Sequence, residues 1–199
     1  ARVYEAADKI SGVSHRFTIP AFRKSLSWLS TFLIELSNQS IKKERIFPVD
    51  LVLSMIKASG EDPQVLLKGP FFYEDASGQS EILFWPHPFS YFLCLSQFSE
   101  FVVSSPDVVR PAFHQKQAIS RAAVLHTFHA LKISPEPFVE EVLALSVSGP
   151  KKVREASVQL ISQSFPVFRE RLRTYAENRS ADERFHAMQL LSRLGGAAE

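Results

Sequence analysis

Cysteine is nearly missing: Cys94 is the sole one among 199 residues. That excludes an intrachain disulfide and a Cys-rich zinc site, and a lone thiol fits a reducing compartment. Glycine is scarce, with 7 residues placed mostly at helix ends or turns. There is no glycine-rich phosphate loop and no Gly-x-Ser-x-Gly nucleophile elbow. A charge excess is lacking as well: 23 basic against 21 acidic residues leave +2. Composition therefore does not call for a polyanionic partner, although a local patch can still bind one. Nor is there a clean apolar run. The most apolar stretch, Ile82 to Val103, is interrupted by Pro86, His87, Pro88, Gln97 and Glu100, which argues against a membrane span. No basic start followed by an apolar segment marks a secretory leader within this chain. These absences lead us to expect an intracellular protein, cytoplasmic or nuclear, with no membrane contact. The opening Ala1 and a helical pattern running almost to the last residue suggest a piece of a longer chain.

What is present is ordinary for a globular domain: 45% hydrophobic and 22% charged residues. The 17 phenylalanines concentrate before residue 130, and a Phe-heavy core explains them better than an aromatic ligand box. Phe22, Leu26, Leu29, Phe32, Leu33 and Leu36 recur at steps of three and four, a helical stripe. Gln39 to Arg45 reads as a loop or helix end. Pro48 suits the first turn of a helix whose apolar face is Leu51, Val52, Met55 and Ile56, and Gly60 sits where a C-terminal cap belongs. Around residues 70–85, Phe71–Tyr73 and Ile82–Trp85 flank a turn with Gly78. This reads either as a small β-hairpin or as an aromatic loop plugging a helical core. Phe89 to Val102 is apolar nearly all round and predicts one central, buried helix.

The second half is periodic. Arg121, Val124, Phe128 and Leu131 share their spacing with Arg154, Ser157, Ile161 and Ser164, and again with Arg184, Ala187, Leu191 and Leu194. Between them lie two further apolar stripes, Phe138–Val139–Val142–Leu143 and Phe165–Phe168–Leu172–Tyr175. Ser134-Pro135, Gly149-Pro150 and Pro166 mark boundaries, and Ser180 with Glu183 has capping-box spacing. A two-helix unit repeated about three times accounts for this, each pair burying its apolar face against the next. The runs Lys152–Ile161 and Asp182–Gly195 resemble the second helix of a HEAT-like repeat, and the resemblance covers roughly residues 115–195. Val124 and Ser164 depart from that pattern, which prefers a small and an apolar residue at those places. The resemblance implies an all-α fold of stacked antiparallel helix pairs, an α-solenoid. Residues 111–199 would form the repeats and residues 1–110 a divergent helical region, within one domain spanning residues 1–199.

Candidate chemistry is sparse. His126 and His129 are spaced to reach one metal, with Glu140 or Glu141 to complete it, yet no His-Glu-x-x-His spacing exists and the third ligand is arbitrary. Cys94 falls on an apolar segment where burial would leave its thiol inert. Glu74 and Asp75 read as turn residues. Arg121, Arg154 and Arg184 suggest a ladder bonding each unit to its neighbour. Lys151, Lys152, Arg154, Arg169 and Arg173 form a candidate binding patch able to follow a phosphate backbone, although residues 106–199 hold 13 basic and 10 acidic groups, a difference of only +3. No nucleophile, base and orienting group occur together, and no cofactor is implied. The sequence therefore favours a non-catalytic module that binds or scaffolds a protein partner. A solenoid contacting nucleic acid is the alternative, and a metal-assisted enzyme the third reading.

Overall fold

Most of the architecture follows from where three- and four-residue apolar spacing holds and where it breaks. The structure, a computed structural model, describes residues 27–43, 46–74, 77–79 and 88–195. Among them are nine α-helices and one two-stranded sheet. Helix α1, Ser27–Lys43, buries Leu29, Leu33 and Leu36 and runs through part of the stretch expected to be loop. It packs on a 3₁₀ turn, Pro88–Cys94. Strand β1, Phe47–Pro48, leads into α2, Val49–Ala58. Val49, Val52 and Ile56 form the buried face of α2, whereas Leu51 is 44% exposed, so the face is rotated from the expected one. Gly60 closes the helix at φ +82°, a left-handed conformation that glycine adopts without strain. A 3₁₀ turn follows at Pro63–Leu67, with Asp62 accepting a bond from the Gln64 amide at 3.0 Å.

The single helix expected over residues 89–102 is instead three elements. The Pro88–Cys94 turn gives way to β2, Leu95–Ser96, and then to α3, Phe98–Ser104. Gln97 sits between them at φ 61°, left-handed, and breaks any continuous helix. Strand β2 runs parallel to β1, pairing Leu95 with Phe47 and Ser96 with Pro48. An apolar run without a polar face carries no period to choose between these outcomes, and here the partner 48 residues upstream decided. Half of the hairpin expected near residues 70–85, residues 75–76 and 80–85, lies outside the described residues. Of the rest, Glu74 and Gly78 bond Lys116 and Gln117 at the entry to the helix that starts at Ala118.

After α4, Pro106–Val109, and a 3₁₀ turn at Arg110–His114, the helical half begins. Its members are α5, Ala118–Ala130, α6, Val139–Ser148, α7, Lys151–Gln163, α8, Phe165–Asn178, and α9, Ala181–Gly195. A 3₁₀ turn at Glu136–Phe138 precedes α6. Helix α7 packs along α5 and against α6, while α9 packs along α8 and against α6. The recurring position three residues after the arginine, Val124, Ser157 and Ala187, is fully buried in all three helices that carry it. On α8 the expected stripe Phe165, Phe168, Leu172 and Tyr175 is the buried face. No helix among the described residues is long and apolar enough to cross a membrane.

Phenylalanine joins the two halves. The Phe128 ring on α5 lies 5.4 Å from Phe71, 5.2 Å from Phe113 and 5.0 Å from Phe138, centroid to centroid. All four are fully buried. Rings at these separations add tilted and edge-on contacts to their burial. A polar clamp lies alongside. The Tyr73 hydroxyl bonds the Pro70 carbonyl and lies 2.6 Å from Thr127 Oγ1, and the Tyr73 amide donates to Gln115 Oε1 at 2.8 Å. Gln115 Nε2 in turn donates to the carbonyls of Phe71 and Ala112, each at 2.9 Å. Glu74 completes the latch, its carboxylate accepting the amides of Lys116 at 3.1 Å and Gln117 at 2.7 Å where α5 begins. These amides are among those a helix start leaves unpaired.

Candidate functional site

The starts of α5, α7 and α9 carry an arginine at the same place, the fourth helical residue. On α5, Arg121 folds back to donate to the carbonyls of Gln115 at 2.5 Å and Lys116 at 2.8 Å. On α7, Arg154 donates to the Gly149 carbonyl at 2.8 Å. On α9, Arg184 is exposed, and the helix start is held by Ser180 and Glu183 instead. The expected ladder between neighbouring units does not form at two of the three: Arg121 and Arg154 tie down the connection entering their own helix, and Arg184 does not. Gly149 belongs to the same device. A Cβ placed there would lie 2.5 Å from the Leu145 carbonyl oxygen, so the α6–α7 corner closes only around glycine.

Helix α9 leans on α8 and α6 and stands off from α7. A cleft of about 690 Å³ opens between α7 and α9, with Ser146 of α6 also lining it. From α7 it takes Lys151, Arg154, Glu155, Val158 and Gln159. From α9 it takes His186, Gln189, Leu190 and Arg193, the i, i+3, i+4, i+7 face of that helix. A second groove of about 420 Å³ lies on the other side of α7, against α5. Its α5 wall is Ile119, Ala122, Ala123 and His126, and its α7 wall is Lys152, Glu155, Ala156 and Gln159. Glu155 and Gln159 line both, so the two depressions form one surface with α7 as its central ridge.

Three residues of the candidate patch lie on this surface: Lys151 and Arg154 line the cleft and Lys152 the groove. Arg169 and Arg173 are on α8, which lines neither. Arg173 is engaged at 2.6 Å by Glu170 on its own helix, and Arg171 by Glu140 of α6 at 3.3 Å. Arg193 and His186 complete the surface and were missed, although the α9 spacing that gathers them is readable from sequence. Arg154 and Arg193 have no carboxylate within 4 Å among the described residues. Lys151 and Glu155 are 3.9 Å apart, 83% and 64% exposed, and a pair that open to water is worth about 0–1 kcal/mol. Next to the α9 wall, Phe185 and Met188 are 55% and 53% exposed, an apolar pair three residues apart on one helix face.

The metal-site expectation finds no support in the positions of its ligands. His126 lines the α5–α7 groove, and His129 has Nδ1 buried without a hydrogen-bond partner. Glu140 faces Arg171 and the Tyr175 hydroxyl, while Glu141 faces Arg110. Among the described residues no three His, Cys, Asp or Glu side chains gather around one point. Cys94 is buried, its thiol donates to the Tyr91 carbonyl at 2.9 Å, and burial pushes its pKa up to about 11. At neutral pH it carries almost no thiolate, the form that reacts. No protein-family model matches the chain, and no curated protein or solved structure matches it.

Proposed function

We propose that this chain is a non-catalytic binding module, a HEAT-like stack of helix pairs that receives a segment of a partner protein on the α5–α7–α9 face. The observation that carries this reading is the doubled groove. Two depressions share one helix ridge, with apolar floors from Ile119, Ala122, Val158 and Leu190 and polar rims from lysine, arginine, glutamine and histidine. Apolar ground with a few convergent polar groups is what a recognition surface needs. Exposed Phe185 and Met188 beside it extend the apolar area, a feature of surfaces that meet protein.

Gln159 is the position to test, since it is exposed and lines both grooves. Gln159→Trp fills them without disturbing the core. Proteins that co-purify with the full chain should be lost from this variant and retained by Val167→Glu on α8, whose residue 167 is exposed elsewhere. Retention by Gln159→Trp with loss in Val167→Glu would contradict the reading.

A nucleic-acid partner is the second reading, and it rests on Lys151, Lys152 and Arg154 following one another along the α7 start. It predicts a mobility shift with random nucleic acid that weakens steeply with salt and disappears in a Lys151→Glu, Lys152→Glu double variant. The protein-binding reading predicts no shift that responds to those changes.

A further inference from the structure

We infer that the α7–α9 cleft is a phosphate-recognition site, and that the partner segment it takes carries a phosphorylated serine or threonine. This deepens the protein-binding reading and rests on it. Three cations from two helices line it, Lys151 and Arg154 from α7 and Arg193 from α9, with a single carboxylate, Glu155. Neither arginine is neutralised by an acid among the described residues. On α8, by contrast, Arg171 and Arg173 each meet a glutamate. With three cations against one carboxylate, the lining of the cleft carries a net positive formal charge.

The cations also differ in readiness. Arg154 is part-buried and fixed by its bond to the Gly149 carbonyl, which uses one N–H of a five-donor fork and leaves the others to face a ligand. A guanidinium held in place loses little freedom on binding, and its planar fork matches phosphate oxygens in pairs. Lys151 is tied only to Glu155, through an exposed contact that yields readily. His186 lines the same cleft, next to these cations. A phosphoryl group brings about −1.5 to −2 charges and three acceptor oxygens to these donors.

The occupant is a peptide rather than a nucleic acid for two reasons. Val158 and Leu190 line the same cleft and offer apolar ground to residues flanking the phosphate. The charge is also confined: the cations that would extend a phosphate track, Arg169 and Arg173, are on α8 outside the cleft, with Arg173 bonded to Glu170.

The test is a titration of the isotopically labelled full chain, followed by amide shifts. The probes are inorganic phosphate, a phosphoserine peptide with degenerate flanks, the same peptide unphosphorylated, and a random single-stranded oligonucleotide. Saturable shifts at residues 151–159 and 186–193 are expected with phosphate. The phosphopeptide should bind about tenfold or more tightly than its plain counterpart, a difference of about 1.4 kcal/mol. Arg193→Gln and Lys151→Gln, both exposed positions, should each weaken it several-fold with unchanged circular dichroism, and Glu155→Gln should tighten it. Equal binding of the two peptides, phosphate shifts scattered over the surface, or a salt-sensitive preference for the oligonucleotide would each overturn the inference. Failure here is separable from failure of the protein-binding reading. Equal peptide affinities leave the Gln159→Trp effect intact, whereas partners retained by Gln159→Trp remove the broader reading.

Discussion

Phe128 carries more of this fold than any nearby side chain, because three rings from three segments converge on it. Truncating it removes a fully buried ring and leaves a void its rigid neighbours cannot close. We predict that Phe128→Ala costs about 3–5 kcal/mol in urea unfolding. A cost below 1 kcal/mol would mean that the cluster is not the junction of the two halves. Gly149 is constrained for a different reason, since its φ of −72° is open to any residue. What forbids a side chain there is the Leu145 carbonyl, 2.5 Å from where a Cβ would sit. Gly149→Ala should therefore destabilise by about 1–3 kcal/mol, as overpacking does, and should also loosen Arg154 by shifting the carbonyl it holds. The companion change Gly60→Ala, where nothing lies within 4 Å, isolates the cost of positive φ alone, about 1 kcal/mol.

At the scale of elements, helix starts are where distant parts of the chain meet. Helix α5 has no cap from its own sequence, and Glu74 supplies one from 43 residues upstream. Glu74→Ala should cost about 1 kcal/mol and speed amide exchange at Lys116 and Gln117 selectively. Unchanged exchange there would show that the latch is not formed. Helix α9 instead caps itself, with Ser180 and Glu183 bonded reciprocally. The Ser180 hydroxyl and amide hold the Glu183 carboxyl below its usual value of 4.5. A carboxyl lowered by folding stabilises fully above its unfolded-state pKa, and the effect fades as pH falls through the lower native value. Ser180→Ala should cost about 1 kcal/mol at neutral pH, with the difference from the parent shrinking below about pH 4.5.

This contrast explains what could be read in advance. The α9 box and the α8 stripe lie within a few residues of sequence, so spacing alone reveals them. The Glu74 latch and the β1–β2 pairing depend on partners more than 40 residues away, which no local pattern encodes. The run from Phe89 to Val102 failed for a related reason: with apolar groups on every side, it had no polar face to fix a period. The recurring arginines stand at one helical position, but spacing did not reveal the partners of Arg121 and Arg154, because a guanidinium reaches its own entry loop as easily as a neighbouring unit. Of the five patch residues, the three on α7 meet at the grooves and the two on α8 do not. Charge shows in sequence, but the side of a helix stack on which it emerges depends on the offset between helices.

For the whole molecule, the feature with most consequence is the stance of α9. By packing on α8 and α6 it leaves α7 flanked on both sides, and the resulting ridge and grooves are lined by Lys151, Lys152, Arg154 and Arg193. The proposed function places binding on one face, the α5–α7–α9 face, rather than on the α8 surface, where Arg171 and Arg173 are paired with acids. The most direct test of that assignment is site-specific photo-crosslinking of the full chain in cells, with the reactive group placed at Gln159 and, as a control, at Val167. The account predicts discrete protein adducts from position 159 that are absent from position 167 and diminished by Arg193→Gln. Adducts of equal yield from both positions, or nucleic-acid adducts from position 159, would contradict it.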